Sequence, residues 1–382
     1  NYTCDVLVAG GGVAGTAAAI AAARMGSKVI LVEKTCVIGG LATAGLVGIY
    51  LPICDGMGNQ VMYGLAEELL KLSVNLFDRD KIPEQWLNGQ SINERKQQRY
   101  QVRFNPNVFA IELERLLLSV GVKILFDSVL IEANTDNGKL SSVDIFNCSQ
   151  RCRIEFNTAI DATGDAVLCE LAGENTVQYS KGNTLAAWYY SILQGQYNLN
   201  ILGFSESASA NSKPLVSKRF SGFDCDEMSE MLSLAHFQIL QDVINKRGKH
   251  NDYTLVTIPY LPQLRMTRRI DGAYTIDDND VFKHFDNSIG LAVNWKEAGP
   301  IYELPFTILH GNKIKNLLAC GRCISATENM WDITRVIPVC AATGQAAGVA
   351  ASLYTDMTVS DIKILQKNLI NQGVKLYIDS NK

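Results

Sequence analysis

The chain has 382 residues and a formal net charge of −4, from 35 Lys and Arg against 39 Asp and Glu. That balance gives no electrostatic drive toward nucleic acid or an anionic membrane surface, so neither is expected as a partner. With 47% hydrophobic and 19% charged residues the profile is globular and excludes an intrinsically disordered chain.

Residues 4–9 (CDVLVA) read as a short buried strand. Gly10-Gly11-Gly12-Val13-Ala14-Gly15 follows, then an Ala-rich helix over about 14–25 that stops at Gly26. Residues 28–33 (KVILVE) read as a second strand that ends in an acid, which completes a β-α-β unit. The Gly-rich stretch 39–58 reads as loop, 60–72 as a helix, and the polar stretch 78–101 as a surface insertion. A helix is predicted over 107–119, strands over 122–126 and 129–135, and a hairpin at Asn137-Gly138 leading to 139–146. Residues 154–161 lead into a strand that closes on Asp161-Ala162-Thr163-Gly164-Asp165. The pattern from 179 to 299 is less regular, with a polar loop at 205–214 and a helix near 226–246. Strands are predicted at 301–308 and 315–320, and a helical Ala/Gly-rich segment at 335–353 with Pro338 in its first turn.

The Gly10-x-Gly12-x-x-Gly15 pattern has the context that gives it meaning: a strand before, a helix after, and Glu33 at the end of the next strand. Gly10 permits the tight turn, Gly12 lets the backbone approach a pyrophosphate, and Gly15 lets helix and strand pack closely. The helix start offers free N–H groups and partial positive charge to phosphates. Glu33 is placed to accept both ribose hydroxyls of an adenosine, and its charge repels a 2′-phosphate. Local sequence leaves FAD and NAD both open. The residues after Glu33 favour the flavin: Lys34 and then the small-residue run Gly39, Gly40, Leu41, Ala42 and Thr43, which can lie along a flat isoalloxazine ring. No second GxGxxG is present, so no separate nicotinamide domain is expected.

These stretches resemble the FAD-dependent oxidoreductases of the glutathione-reductase-like superfamily, including heterodisulfide-reductase-like flavoproteins. The resemblance rests on GGGVAG (10–15) with VEK (32–34), GGLATAG (39–45), IDATGDA (160–166), LRMTRRIDGAYTIDDNDV (264–281), and NLLACGRCISAT (316–327) with RVIPVCAATGQAAGVAA (335–351). It implies an α/β fold: a Rossmann-like FAD-binding domain assembled from 1–45, 100–178 and 300–382, with 46–99 and 179–299 forming an inserted α+β substrate or cap region. It also implies that Ala162, Thr163, Gly164 and Asp165 lie beside the adenosine half, and that Val129 holds the adenine through its backbone. Gly321 and Arg322 would meet the ribityl or pyrophosphate. Val336 and Pro338 would lead into a helix aimed at the flavin N1–O2 edge. Arg335 would sit near the isoalloxazine ring, and it and Arg268 would orient a substrate carboxylate or carbonyl. The run from Glu328 to Thr334 departs from the family pattern, where His-Glu and small residues are common.

The implied activity is hydride exchange between flavin N5 and a small organic molecule. The alternative is a flavin-binding electron-transfer subunit whose partner is an electron donor or acceptor protein. Arg265, Arg268 and Arg269 read either as anion binders or as salt-bridge partners of Asp277, Asp278 or Asp280. Cys320-Gly-Arg-Cys323 is a CxxC, read as packing thiols in preference to a redox disulfide, because it spans a strand end and not a helix start. No metal site is expected from the cysteine or histidine spacing. Ten scattered cysteines and an amino-terminal stretch with no basic segment are what a cytoplasmic protein would have.

Overall fold

Four consecutive apolar residues form β1 (Val6–Ala9), and all four are buried, as in a parallel strand covered on both faces. The chain turns at Gly10 into α1 (Val13–Arg24) and returns as β2 (Val29–Val32), again buried throughout. Later segments supply α2 (Pro106–Ser119), β3 (Lys123–Leu125), β4 (Thr158–Asp161), β5 (Leu317–Ala319) and α3 (Ile337–Leu353). The computed structural model describes residues 1–76, 79–87, 91–204 and 214–379. Its central sheet is parallel, in the order β5–β4–β1–β2–β3. Segments far apart in the chain thus become neighbours: Ala159 of β4 pairs with Leu7 on one side and Leu317 on the other.

Helices α1 and α3 pack against each other through small residues. A Cβ added at Gly348 would meet the carbonyl oxygen of Ala18 at 2.1 Å. This near-contact of backbones explains why both helices are Ala- and Gly-rich and buried almost all round. A second sheet joins Tyr2–Thr3, Gln150–Glu155, Lys139–Asn147 and Ser128–Asp136 in that order. Its hairpin turns at Asn137-Gly138, both at positive φ, as the dipeptide predicts.

The structure corrects several boundaries. The expected strand over 154–161 is two strands in different sheets. At the step between them, the N–H groups of Asn157 and Thr158 both donate to the Asp5 carbonyl. The helix expected at 60–72 is Leu65–Val74, because Gly64 just before it holds φ 64°. The helical segment expected at 335–353 is α3, with Pro338 in its first turn, and a separate unexpected helix, Glu328–Thr334, precedes it at an angle of 88° across the extended Val336. The strand expected at 301–308 ends at Pro305 and gives way to a short 3-10 turn.

In the middle of the chain, strands Gln196–Asn200, Tyr189–Leu193 and Thr254–Thr257 form a small antiparallel sheet. Helix Cys225–Arg247 lies with them around a separate apolar cluster containing Tyr189, Phe220, Met231 and Ile239. Strand Ser288–Val293 instead pairs with Ile301–Pro305, and its Ile289 and Leu291 belong to the main core. Of the polar loop predicted at 205–214, residues 205–213 lie outside the described residues, as do 78 and 88–90 of the predicted insertion. Among the described residues no single helix is long and apolar enough to cross a membrane.

Candidate functional site

The carboxyl ends of β1, β2 and β4 converge where the order of the strands reverses, the usual place for a ligand crevice in an open α/β sheet. There Gly10 turns at φ 102°, and a Cβ on it would fall 2.5 Å from the Ala162 carbonyl oxygen. Gly15 is as constrained: its Cβ would meet the Gly10 carbonyl oxygen at 1.8 Å. Gly12 differs, since a Cβ there would meet nothing within 4 Å. Its outward side faces open space, and it lines a cavity of about 350 Å³.

Glu33 closes one end of this cavity. One carboxylate oxygen accepts from the Gly11 N–H at 2.7 Å, and the other from the Thr35 N–H and hydroxyl at 2.8 Å each. The carboxylate is thereby fixed under the glycine turn with its neighbour Lys34 on the cavity wall. Val129, on the strand that starts from Ser128, lines the same end. The 39–45 loop docks onto the turn through a 2.7 Å hydrogen bond from the Gly39 N–H to the Gly11 carbonyl. This puts Gly39, Gly40, Leu41 and Ala42 along the cavity floor.

The Asp161 carboxylate is fully buried and organises the next turn. It accepts from the Thr163 N–H and hydroxyl and from the Cys169 N–H. Ala162, Thr163, Gly164 and Asp165 then line the cavity. Asp161 is thus engaged by its own turn and does not form a catalytic pair with Asp165. Asp165 accepts from the Thr267 hydroxyl at 2.6 Å and pairs with Arg322 at 3.3 Å. Arg322 also donates to the Leu264 carbonyl, so its fork is largely committed to the wall it forms.

The far end of the cavity is built by Cys320, Arg335, Ile337 and Cys340. Arg335 ion-pairs with Asp332 of the short helix before it, and Lys296 reaches the other Asp332 oxygen at 2.5 Å. Neither α1 nor α3 has a side-chain cap or an acid in its first turn. Two uncapped helix starts, at Val13-Ala14 and at Ile337-Cys340, therefore border one cavity with unspent partial positive charge.

Most of the predicted cofactor residues come together here: Gly10, Gly12, Val13, Ala14, Glu33, Lys34, Gly39 to Ala42, Val129, Ala162 to Asp165 and Arg322 line the cavity, as does Arg335, expected to orient a substrate. Five lie behind it. Gly15 serves the turn. Thr43 is buried and donates to the Ile38 carbonyl at 2.6 Å. Gly321 sits against Ala14 and donates to the Thr343 hydroxyl. Val336 and Pro338 shape the start of α3 without lining the cavity.

Arg268, expected to orient a substrate, is outside the cavity. Its Nε donates to the Asp165 carbonyl, its Nη1 pairs with Glu170 at 3.2 Å, and it lies over the Phe223 ring. The reason is that 268–270 form a strand paired with Thr176–Gln178, which puts Arg268 and Arg269 on opposite faces, while Arg265 precedes the strand. Arg269 instead donates to Ser325. The predicted pairing of these arginines with Asp277, Asp278 or Asp280 is replaced by these contacts, and Asp280 pairs with Lys283. Leu261, Pro262 and Leu264 complete the wall. Leu261 and Pro262 belong to no motif, Leu264 only opens the 264–281 stretch, and the fold brings all three over the 39–45 loop, where the Tyr260 N–H donates to the Ala44 carbonyl.

Cys320 and Cys323 are fully buried, and burial pushes both thiols well above the ordinary cysteine range. That is opposite to the shift a redox-active thiolate needs. No metal-binding group of three or more His, Cys, Asp or Glu residues occurs among the described residues.

The family described as FAD dependent oxidoreductase matches residues 5–187 and 291–369, more than half of the chain. No curated protein matches it. Among solved structures, p-nitrophenol 4-monooxygenase from Pseudomonas putida is similar at TM-score 0.50 and 9% identity, over 97% of this chain and 85% of that one. A geranylgeranyl bacteriochlorophyll reductase-like protein from Thermoplasma acidophilum is similar at TM-score 0.48 and 16% identity, over 98% and 84%. A 3-ketosteroid-Δ4-(5α)-dehydrogenase from Rhodococcus jostii is similar at TM-score 0.44 and 14% identity, over 92% and 97%. At 9% identity, the likeness to the monooxygenase speaks for the fold alone.

Proposed function

Because the chain belongs to the FAD dependent oxidoreductase family, we propose that the cavity holds FAD extended from Glu33 to Arg335, and that the enzyme exchanges a hydride between flavin N5 and a small carboxylate- or carbonyl-bearing organic substrate. One observation carries this reading: a single cavity runs past the glycine turn, the Glu33 carboxylate, the 39–42 loop and the uncapped start of α3. The open space over Gly12 suits a pyrophosphate, and the fixed Glu33 carboxylate suits ribose hydroxyls. The residues present therefore fit the cofactor.

Bound FAD supplies two-electron hydride chemistry at its isoalloxazine ring. The chain supplies the rest. The α1 start and Gly12 hold phosphate charge, and Glu33 fixes the adenosine end. The α3 start would hold the ring end of the cofactor beside partial positive charge, which favours any negative charge placed there. Arg335, held by Asp332, orients the substrate's polar group beside the ring.

Within the family, the motifs at 39–45 and 316–351 support a glutathione-reductase-like member resembling heterodisulfide-reductase-like flavoproteins. Segments 1–45, 100–178 and 300–382 would make the flavin domain, with 46–99 and 179–299 as the substrate side. The separate apolar cluster around Tyr189 and Phe220 supports a distinct cap. A cytoplasmic location is supported by ten cysteines that are all free.

The test is direct. Purified protein should carry flavin absorbance, and an anaerobic panel of hydroxy acids, unsaturated acids, polyols and amines should contain members that bleach it. Protein that stays colourless after reconstitution with FAD would sink the reading. Bleaching by a reduced protein partner but by no small molecule would favour an electron-transfer subunit instead.

A further inference from the structure

A second cavity of about 500 Å³ lies next to the first, lined by Met266 among others, with Lys181 and Lys296 as its cations and Asp278, Glu297, Glu328 and Asp332 as its acids. The two share a partition. Leu264 lines the first and Met266 the second, and Arg265, between them in the chain, has Arg322 and Arg335 of the first and Asp332 of the second as its charged neighbours. The Arg335–Asp332 pair spans the same partition, with Arg335 on the first cavity and Asp332 on the second.

Arg265 is buried, at 5% exposure. Its Nη1 makes one long contact, 3.3 Å, to the Gln263 carbonyl, and its Nη2 has no hydrogen-bond partner among the described residues. No carboxylate lies within ion-pair distance of it among those residues. Its guanidinium is stacked 5.1 Å from the Trp188 ring centroid, which orients the plane but supplies no countercharge. Desolvation, followed by the nearby Arg335 and Arg322 charges, lowers its pKa to about 9, so it remains a cation at neutral pH. The charge count of the partition is unbalanced. The charges acting on Arg265 are two cations, Arg335 and Arg322, and one anion, Asp332; Asp332 is already held by Arg335 and Lys296, and Arg322 pairs with Asp165. A buried arginine with unused donors and excess positive surroundings is costly unless an anion completes it.

We propose that Arg265 is the anion-recognising residue of the substrate site and that the substrate is a small carboxylate, bound at this partition with its charge on the Arg265 guanidinium. The planar fork suits a carboxylate, which can take two donors at once. The inference rests on the proposed flavin site and adds to it the substrate class and the residue that selects it.

The test uses the yellow holoenzyme titrated with acetate, malonate, succinate and benzoate, and with the corresponding amides, reading the flavin absorbance difference spectrum. At least one carboxylate should perturb the spectrum saturably while its amide does not. Arg265→Gln should weaken that binding about tenfold or more, as expected for a lost charge-assisted hydrogen bond. Arg265→Lys should recover part of it, and both variants should bind FAD as the native protein does. Arg265→Met should leave the Tm of the ligand-free protein unchanged or raised, because it removes an unmatched buried charge. Equal binding of acid and amide, no saturable carboxylate, or unchanged affinity in Arg265→Gln would each overturn the proposal. Loss of FAD from Arg265→Gln, or a marked fall in Tm for Arg265→Met, would also overturn it. Absence of FAD from the native protein defeats both readings, whereas bound FAD without carboxylate selectivity defeats this one alone.

Discussion

Gly344 of α3 lies so close to Ala14 of α1 that a Cβ on it would meet the Ala14 carbonyl oxygen at 2.1 Å. Ala14 also lines the cavity at the start of α1. One close approach therefore sets both the packing of the two helices and the position of two uncapped helix starts. Backbone cannot swing aside as a flexible side chain can. Gly344→Ala should cost about 1–3 kcal/mol of stability and lower Tm and FAD content together. Gly12→Ala should behave differently, because its Cβ would enter open space. The ligand-free Tm should hold, while FAD affinity falls about tenfold or more through loss of close backbone approach. Thermal unfolding with and without FAD separates the two. If Gly344→Ala left both properties intact, the packing argument would fail.

Glu33 holds the Gly11 N–H on one oxygen and the Thr35 N–H and hydroxyl on the other. Glu33→Gln preserves the shape but puts an NH2 against one of these donors and removes the charge. Hydrogen bonds to charged groups contribute about 1.5–3 kcal/mol, so FAD affinity should fall about 10- to 100-fold. Fluorescence quenching during reconstitution measures this. An affinity equal to the native value would remove Glu33 from the cofactor site.

The buried thiols give a chemical prediction. Cys340, on the cavity wall, has its thiol pushed up to about 12 by burial, and Cys320 and Cys323 are shifted in the same direction. A raised pKa leaves the protonated thiol dominant at every pH below it, so little thiolate is available near pH 8. Iodoacetamide at that pH should label the exposed Cys36, Cys148 and Cys225 and spare these three while the protein stays folded. Peptide mass mapping reads the result. A Cys320→Ser, Cys323→Ser double variant should still be reduced by the same substrates, and its failure to be reduced while holding FAD would restore a redox role for the pair.

The dinucleotide end was legible because its signals are local. Gly10, Gly12, Gly15 and Glu33 fall within one β-α-β unit, and each has a backbone or charge requirement that few other residues satisfy. The substrate end was not legible in the same way. The resemblance implied the same role for Arg268 and Arg335, yet strand pairing with Thr176–Gln178 turns Arg268 toward Glu170, while the bend before α3 leaves Arg335 on the cavity. Leu261 and Pro262 carry no motif, and a contact across more than 200 residues sets them over the 39–45 loop. The short helix Glu328–Thr334 was not read because its seven residues are too few to show a helical period.

Arg335 offers the sharpest test of the substrate end. Its side chain is pinned by Asp332, which Lys296 also holds, and it borders the same cavity as the uncapped start of α3. Arg335→Gln keeps a polar side chain and removes the charge, while Lys296 still matches Asp332. FAD content should therefore stay near native. A lost cation beside the ring disfavours the reduced, more negative flavin, so the midpoint potential should move negative by roughly 30 mV, the two-electron equivalent of about 1.4 kcal/mol. Reduction by whichever carboxylate or carbonyl compound bleaches the native enzyme should slow by about a hundredfold, the scale seen when one preorganised donor is removed. Arg335→Lys should recover the potential more than the rate, because it restores charge without the planar fork. Spectroelectrochemistry and stopped-flow reduction read the two quantities independently. A variant that kept both at native values would show that Arg335 only anchors Asp332.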